Sequence, residues 1–191
     1  MTQRSRPAAK PADAGHAQAM LRHWLKDVPN DRLAHLIKDA TRGFQRGLQR
    51  RLAEHSVSFG HWSFLRILWD TDGLTQRELS ERAGVMEPTT FSALAAMEKL
   101  GYITRVPAPE GGRKVFIHLT PTGRALKDVL VPMAEEMNEI AVRGLREADI
   151  AATRRTLLAM VANLAEDEIE ATKEDRKMPS TRAVARRLVS G

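Results

Sequence analysis

The stretch "GVMEPTTFSAL", Gly84 to Leu94, decides the fold. Its C-terminal half has the apolar spacing of a helix. Yet it opens on Glu87 and Pro88 and then sets Thr89, Thr90 and Ser92 into the first turns. Hydroxyl residues are mediocre helix formers because their side chains compete for backbone hydrogen bonds. Pro88 suits a first turn, where its missing amide donor costs nothing. Helical spacing turns Leu94 and Met97 inward, together with Thr90 or Phe91. Thr89, Ser92, Ala96 and Lys99 fall on the opposite stripe. That exposed face gives up helix propensity for something else.

The flanking residues supply the context. In "TQRE", Thr75 can cap the Glu78 amide and Glu78 can return to the Thr75 amide, a capping box that starts a short helix over Gln76–Ala83. Gly84 ends it as a left-handed cap. Upstream, Leu33, Leu36, Ile37, Ala40, Phe44, Leu48 and Leu52 recur at helical spacing from Asp31 to about His55, with Arg42, Arg46, Arg50 and Arg51 opposite. A second helix spans about Phe59 to Asp70, closed by Asp72-Gly73. Downstream, the helix that begins in the opening stretch runs through Lys99 and stops at Gly101.

The period then changes. "YITRVPAPEGGRKVFIHLT" reads as a two-stranded hairpin with its tip at Pro109–Gly112. Thr120 caps a fifth helix with the stripe Leu126, Leu130, Met133, Met137, Ile140 and Ala141. After a break at Leu145–Asp149, a sixth helix runs from about Ala148 to Glu170 with Leu157, Leu158, Val161, Leu164 and Ile169. Short helix, glycine turn, helix is a helix-turn-helix, and the hairpin after it makes a winged helix. The expected fold class is mainly α with a small β-hairpin wing. In such a fold the second helix of the pair enters the major groove by its N-terminal end. There, short hydrogen-bonding side chains reach phosphates and base edges.

Bulk composition narrows the alternatives. The 191 residues, 42% hydrophobic and 28% charged, suit a soluble globular chain. No apolar run approaches the ~18 residues of a membrane helix. The N-terminus lacks the apolar core of an export signal, so a cytoplasmic location is expected. No cysteine is present, which excludes disulfides and thiolate chemistry. Of the net charge of +6, residues 1–11 carry +3 and residues 173–191 carry +4, leaving about −1 for the body. Any nucleic-acid surface on the body therefore arises from local arrangement. The organisation expected is an extension over 1–30, partly disordered or a short helix, a folded body over 31–172, and a basic tail over 173–191.

Taken in order, "LTQRELSERAGVMEPTTFSALAAMEKLGYITR" and "GRKVFIHLTPTG" closely resemble the MarR family of bacterial transcription regulators. The resemblance covers roughly residues 31–170. It implies a homodimer held by the first, fifth and sixth helices (31–58 and 121–172), with each protomer presenting the winged helix (59–120) to one half of a pseudo-palindromic operator. It also implies repression relieved by a small ligand, commonly an aromatic acid or its derivative. Two positions depart from the family pattern. Gly111 stands where the wing commonly has Asp before Arg113, and Ser92 stands where many members carry Arg. Phe91 replaces a small polar residue, and either reads thymine methyl groups or belongs to the core.

These readings name candidates. For DNA they are Thr75, Gln76 and Arg77 at a helix start, Thr89, Thr90, Ser92 and Lys99 on the recognition helix, and Arg113 and Lys114 in the wing. The bland alternatives are capping residues and ordinary solubilising charges. The cluster "HWSFLRILW" sets His61, Trp62, Leu65 and Trp69 along the second helix. It is either core, or the wall of an effector pocket between the first, second and fifth helices, with His61 and Arg46 holding a carboxylate or carbonyl. Candidate effectors are aromatic acids and aryl-CoA thioesters. No phosphate loop, catalytic constellation or paired histidine spacing is present, so neither an enzyme, a cofactor nor a metal site is expected. The competing function is a winged helix serving protein contacts or nonspecific nucleic-acid architecture.

Overall fold

The structure, a computed structural model, describes residues 15, 18–23, 33–108 and 114–174. They fall into two compact units, residues 1–141 and 142–191. In the first, helices α1 (Leu33–Ala53) and α2 (Phe59–Asp70) lead through a short strand β1 (Leu74–Thr75) to α3 (Gln76–Ala83) and α4 (Glu87–Lys99). Strands β2 (Ile103–Pro107) and β3 (Val115–Leu119) follow, then α5 (Pro121–Val142). The second unit contains α6 (Glu147–Lys173). Residues 18–23 are helical.

Local chemistry accounts for most boundaries. Ser58 accepts from the His61 amide and caps α2. The capping box of Thr75 and Glu78 is formed in both directions, and Gly84 ends α3 at φ 63°. Pro88 lies in the first turn of α4, whose start has no side-chain cap. Thr120 accepts from the Gly123 amide at 3.0 Å to start α5. Against the expectation, the sheet has three strands in the order β1-β3-β2. Leu74 and Thr75 pair with Ile117 and Phe116, so the capping threonine of α3 is also a strand residue.

The core of the first unit is one apolar cluster. Leu52, Leu65, Leu68, Leu79, Leu94, Met97, Ile103, Ile117 and Leu130 have 2% exposure or less. Gly123 is required where α5 crosses the end of β2, because a Cβ there would run into the Tyr102 carbonyl. Gly47 lets α1 approach α5, since a Cβ would run into the Met137 side chain. The apolar stripe of α1 is buried only at Leu48 and Leu52. Its N-terminal half leaves Leu33 and Leu36 nearly half exposed.

Two polar joints fasten the helix-turn-helix to its surroundings. The Ser80 and Thr90 hydroxyls meet at 2.8 Å in the interior, joining α3 to α4. The Asp72 carboxylate accepts from the Leu119 amide at 2.9 Å and pairs with Arg124, joining the end of α2 to β3 and α5. Burial pushes the Asp72 carboxyl up. The Leu119 amide, the Arg124 guanidinium and the Gly73 amide together outweigh that, so its pKa lies below the ordinary value.

Thr90→Val removes the interior hydroxyl pair while keeping shape, and should cost about 1–2 kcal/mol in urea unfolding. A depressed carboxyl pKa adds stability that is fully present above the unfolded value near ~3.9 and is lost as pH falls through the folded one. Asp72→Asn should therefore lower the melting temperature by about 5 °C at neutral pH. The gap to the wild type should close as the pH is taken below about 4.

Candidate nucleic-acid interface

The interface is built around the exposed start of α4. Thr89 and Ser92 are exposed there, Ser92 returning its hydroxyl to the Pro88 carbonyl at 3.1 Å. Lys99, at the C-terminal end, is also exposed. Thr90 is not part of this surface. It is fully buried and engaged with Ser80, so it joins two helices instead of meeting DNA. Phe91 takes the exposed place, at 54%. The Arg105 guanidinium of β2 lies 5.5 Å from its ring centroid, and Arg105 Nε lies 3.1 Å from the Glu98 carboxylate.

The start of α3 is already charged. The Glu78 carboxylate accepts from the Thr75 amide at 2.8 Å and from the Thr75 hydroxyl at 2.7 Å. These bonds hold the Glu78 carboxyl below its ordinary pKa, with Arg82 and Lys114 adding to the effect. A phosphate arriving at Thr75 would compete with that carboxylate. Gln76 is half-buried, and Arg77 is exposed and paired with Glu81 at 2.9 Å. Lys114 is exposed just before β3. Arg113 lies outside the described residues.

The five residues assigned to an effector pocket do not gather in one place. A cavity of about 320 Å³ opens between α1, α2 and α5. Phe44, Phe59, Trp62, Val131 and Met137 line it on the apolar side, with Arg66, Glu135 and Asn138 as polar groups. Of the five, only Trp62 lines it. Leu65 is fully buried in the core. Trp69 packs edge-on to Trp62 and donates its indole N–H to the Gly123 carbonyl at 2.9 Å, a structural bond. Arg46 lies in a separate shallow cleft with Gln45, Gln49, Arg50 and Phe59, and points toward the Met20 sulfur at 3.8 Å.

His61 lines neither space. Burial alone pulls its pKa down, and its Nδ1 has no hydrogen-bond partner among the described residues. The cation at the cavity is Arg66, over the Trp62 ring at 6.0 Å. Sequence reading passed over Arg66, Phe59 and Glu135. The apolar stripes of three separate helices were visible, but not which positions on them face one another.

Among the described residues, no cluster of three or more metal-ligating side chains occurs, and no helix is long and apolar enough to cross a membrane. Residues 57–115 match the sequence model of the MarR family. The transcriptional regulator TtmR of Methylorubrum extorquens is 26% identical over 154 residues, 81% of this chain and 75% of that protein. The homoprotocatechuate degradative operon repressor of Escherichia coli is 27% identical over 99 residues, 52% of this chain and 65% of that protein. A solved MarR family regulator from Silicibacter pomeroyi superposes with a TM-score of 0.58 at 26% identity, over 68% of this chain and 88% of that one. The matched segment holds α2, the helix-turn-helix and the first strand of the hairpin, and it is over this segment that the chain is similar to the MarR family of transcription regulators.

Proposed function

We propose that the chain acts as a homodimeric repressor that holds a pseudo-palindromic operator and leaves it when a small aromatic acid binds. The observation that carries the DNA half of this reading is the exposed start of α4, where Thr89 and Ser92 stand clear of the core beside the capped α3. Thr89, Ser92 and Lys99 would face the major groove. Arg77, Arg113 and Lys114 would take phosphate or the adjacent minor groove, with Thr75 and Gln76 at the edge of the contact.

Dimerisation is supported by unburied apolar surface. In α6, Leu158, Val161, Leu164 and Ile169 are each more than half exposed, and no residue of that helix is buried. Exposed apolar surface on this scale marks association. Residues 31–58 and 121–172 would form the dimer body and residues 59–120 the DNA-binding part.

The effector reading rests on the cavity between α1, α2 and α5. Its volume is at the low end for small-molecule sites, so a one- or two-ring acid fits within it. The nucleotide tail of an aryl-CoA would have to extend outside. Arg66 supplies a cation for a carboxylate, in the role first given to Arg46 and His61. A related repressor, that of the homoprotocatechuate degradative operon, is named for the breakdown of an aromatic acid.

Footprinting on the DNA upstream of the chain's own gene tests the repressor reading. A discrete protected palindrome, with half-sites about 10 base pairs apart centre to centre, is expected. Uniform coating would favour the architectural alternative. Light scattering should give twice the chain mass, and Val161→Asp with Leu164→Asp should give monomers with little operator affinity.

For the effector, an aromatic-acid panel is screened by tryptophan quenching and operator release. Arg66→Ala should raise the releasing concentration by about tenfold or more while leaving ligand-free operator affinity unchanged. If the variant responds as the wild type does, the acid binds elsewhere.

A further inference from the structure

The recognition helix has an unusual side-chain inventory for reading bases. Over Glu87–Lys99 it reads EPTTFSALAAMEK, with no Arg, Asn or Gln, and its single Lys is the last residue. The bidentate pairings that distinguish guanine and adenine in the major groove come from Arg or Lys and from Asn or Gln. The first three turns of α4 offer neither. What they offer are the hydroxyls of Thr89 and Ser92, the Glu87 carboxylate and carbon. The carbon is prominent, because Phe91 is 54% exposed and Val85 and Met86, just before the helix, are 38% and 73% exposed.

Phe91 differs from Val85 and Met86 in being held. Arg105 reaches across from β2 to lie 5.5 Å from the ring centroid. The same guanidinium is anchored to Glu98, two turns further along α4, at 3.1 Å. Helix, ring and strand are thereby linked, a contact that favours the rotamer of the ring lying against the guanidinium. An aromatic ring on the groove-facing part of α4 has one distinctive target there, the 5-methyl group of thymine, which no other base carries.

We propose that Phe91 reads thymine methyl groups in the major groove and that Arg105, anchored by Glu98, is the positioning residue for its ring. The proposal rests on the operator-binding reading above. It adds the chemistry of recognition: sequence choice by thymine methyls and hydroxyl contacts, in place of guanine-reading cations.

The test uses the duplex that the wild-type full-length chain selects most tightly from a randomised pool. Each thymine is then replaced in turn by deoxyuridine, which lacks only the methyl group, and affinity is read by fluorescence anisotropy. At one or two symmetric positions in each half-site the wild type should lose about fourfold per methyl group. Phe91→Ala should bind more weakly but should not distinguish thymine from uracil at those positions. Its circular dichroism melt should match the wild type, because the residue is exposed. Arg105→Met should reduce the discrimination ratio, and Arg105→Lys, which keeps a cation over the ring, should restore part of it.

The proposal is overturned if no thymine in the selected duplex is sensitive. It is overturned equally if Phe91→Ala keeps the wild-type ratio, or if Met86→Ala and not Phe91→Ala abolishes it. A wild-type chain that selects no sequence would instead remove the operator-binding reading itself.

Discussion

Two turns of helix do not form in water on their own, and the DNA-facing geometry depends on one such piece. The eight residues of α3 are held from every side. Thr75 and Glu78 satisfy the first amides, and Gly84 lets the chain leave in the left-handed conformation. Leu79 and Ser80 are buried beneath it. The pairing of β1 with β3 fixes the residue from which it starts. Ser80 then hands the constraint to α4 through Thr90. Short helix and recognition helix are joined through that hydroxyl pair, and the short helix is joined to the wing through the pairing of β1 with β3.

This arrangement also explains why the surface is not simply basic. The body is close to neutral, the Glu78 carboxylate occupies the Thr75 amide and hydroxyl at the start of α3, and Arg77 and Arg105 are both paired with acids. Carboxylates that pair with these cations lower the nonspecific attraction to phosphate, which depends on uncompensated charge.

The α2 helix links the cavity to this assembly. Trp62 lines the cavity, Trp69 is tied to the α5 backbone at Gly123, and Asp72, just past the end of the helix, accepts from β3. On the effector reading proposed above, a molecule lodged between α1, α2 and α5 bears on the helix that leads into β1 and α3. It can shift DNA binding only to the extent that it fits one arrangement of that element better than another.

Sequence by itself determined the parts that depend on near neighbours. The bounds of α2 and α3, the capping box, the glycine stop, the proline start of α4 and the family motifs all rest on residues within a turn or two of one another. Tertiary structure decided the rest. Thr90 and Phe91 stand side by side at the edge of the inward face of α4, and helical periodicity separates neighbours at such an edge poorly. Thr90 turns in because Ser80, ten residues away, offers it a hydroxyl, and Phe91 stays out under Arg105. Leu74 and Thr75 become a strand only because β3 lies beside them. Arg66 stands at a cavity, while Arg46, His61, Leu65 and Trp69 do not, because that depends on how three helices rotate against one another. The rotation is set by which side chains interlock, such as Met137 against Gly47, and no spacing along the chain encodes it.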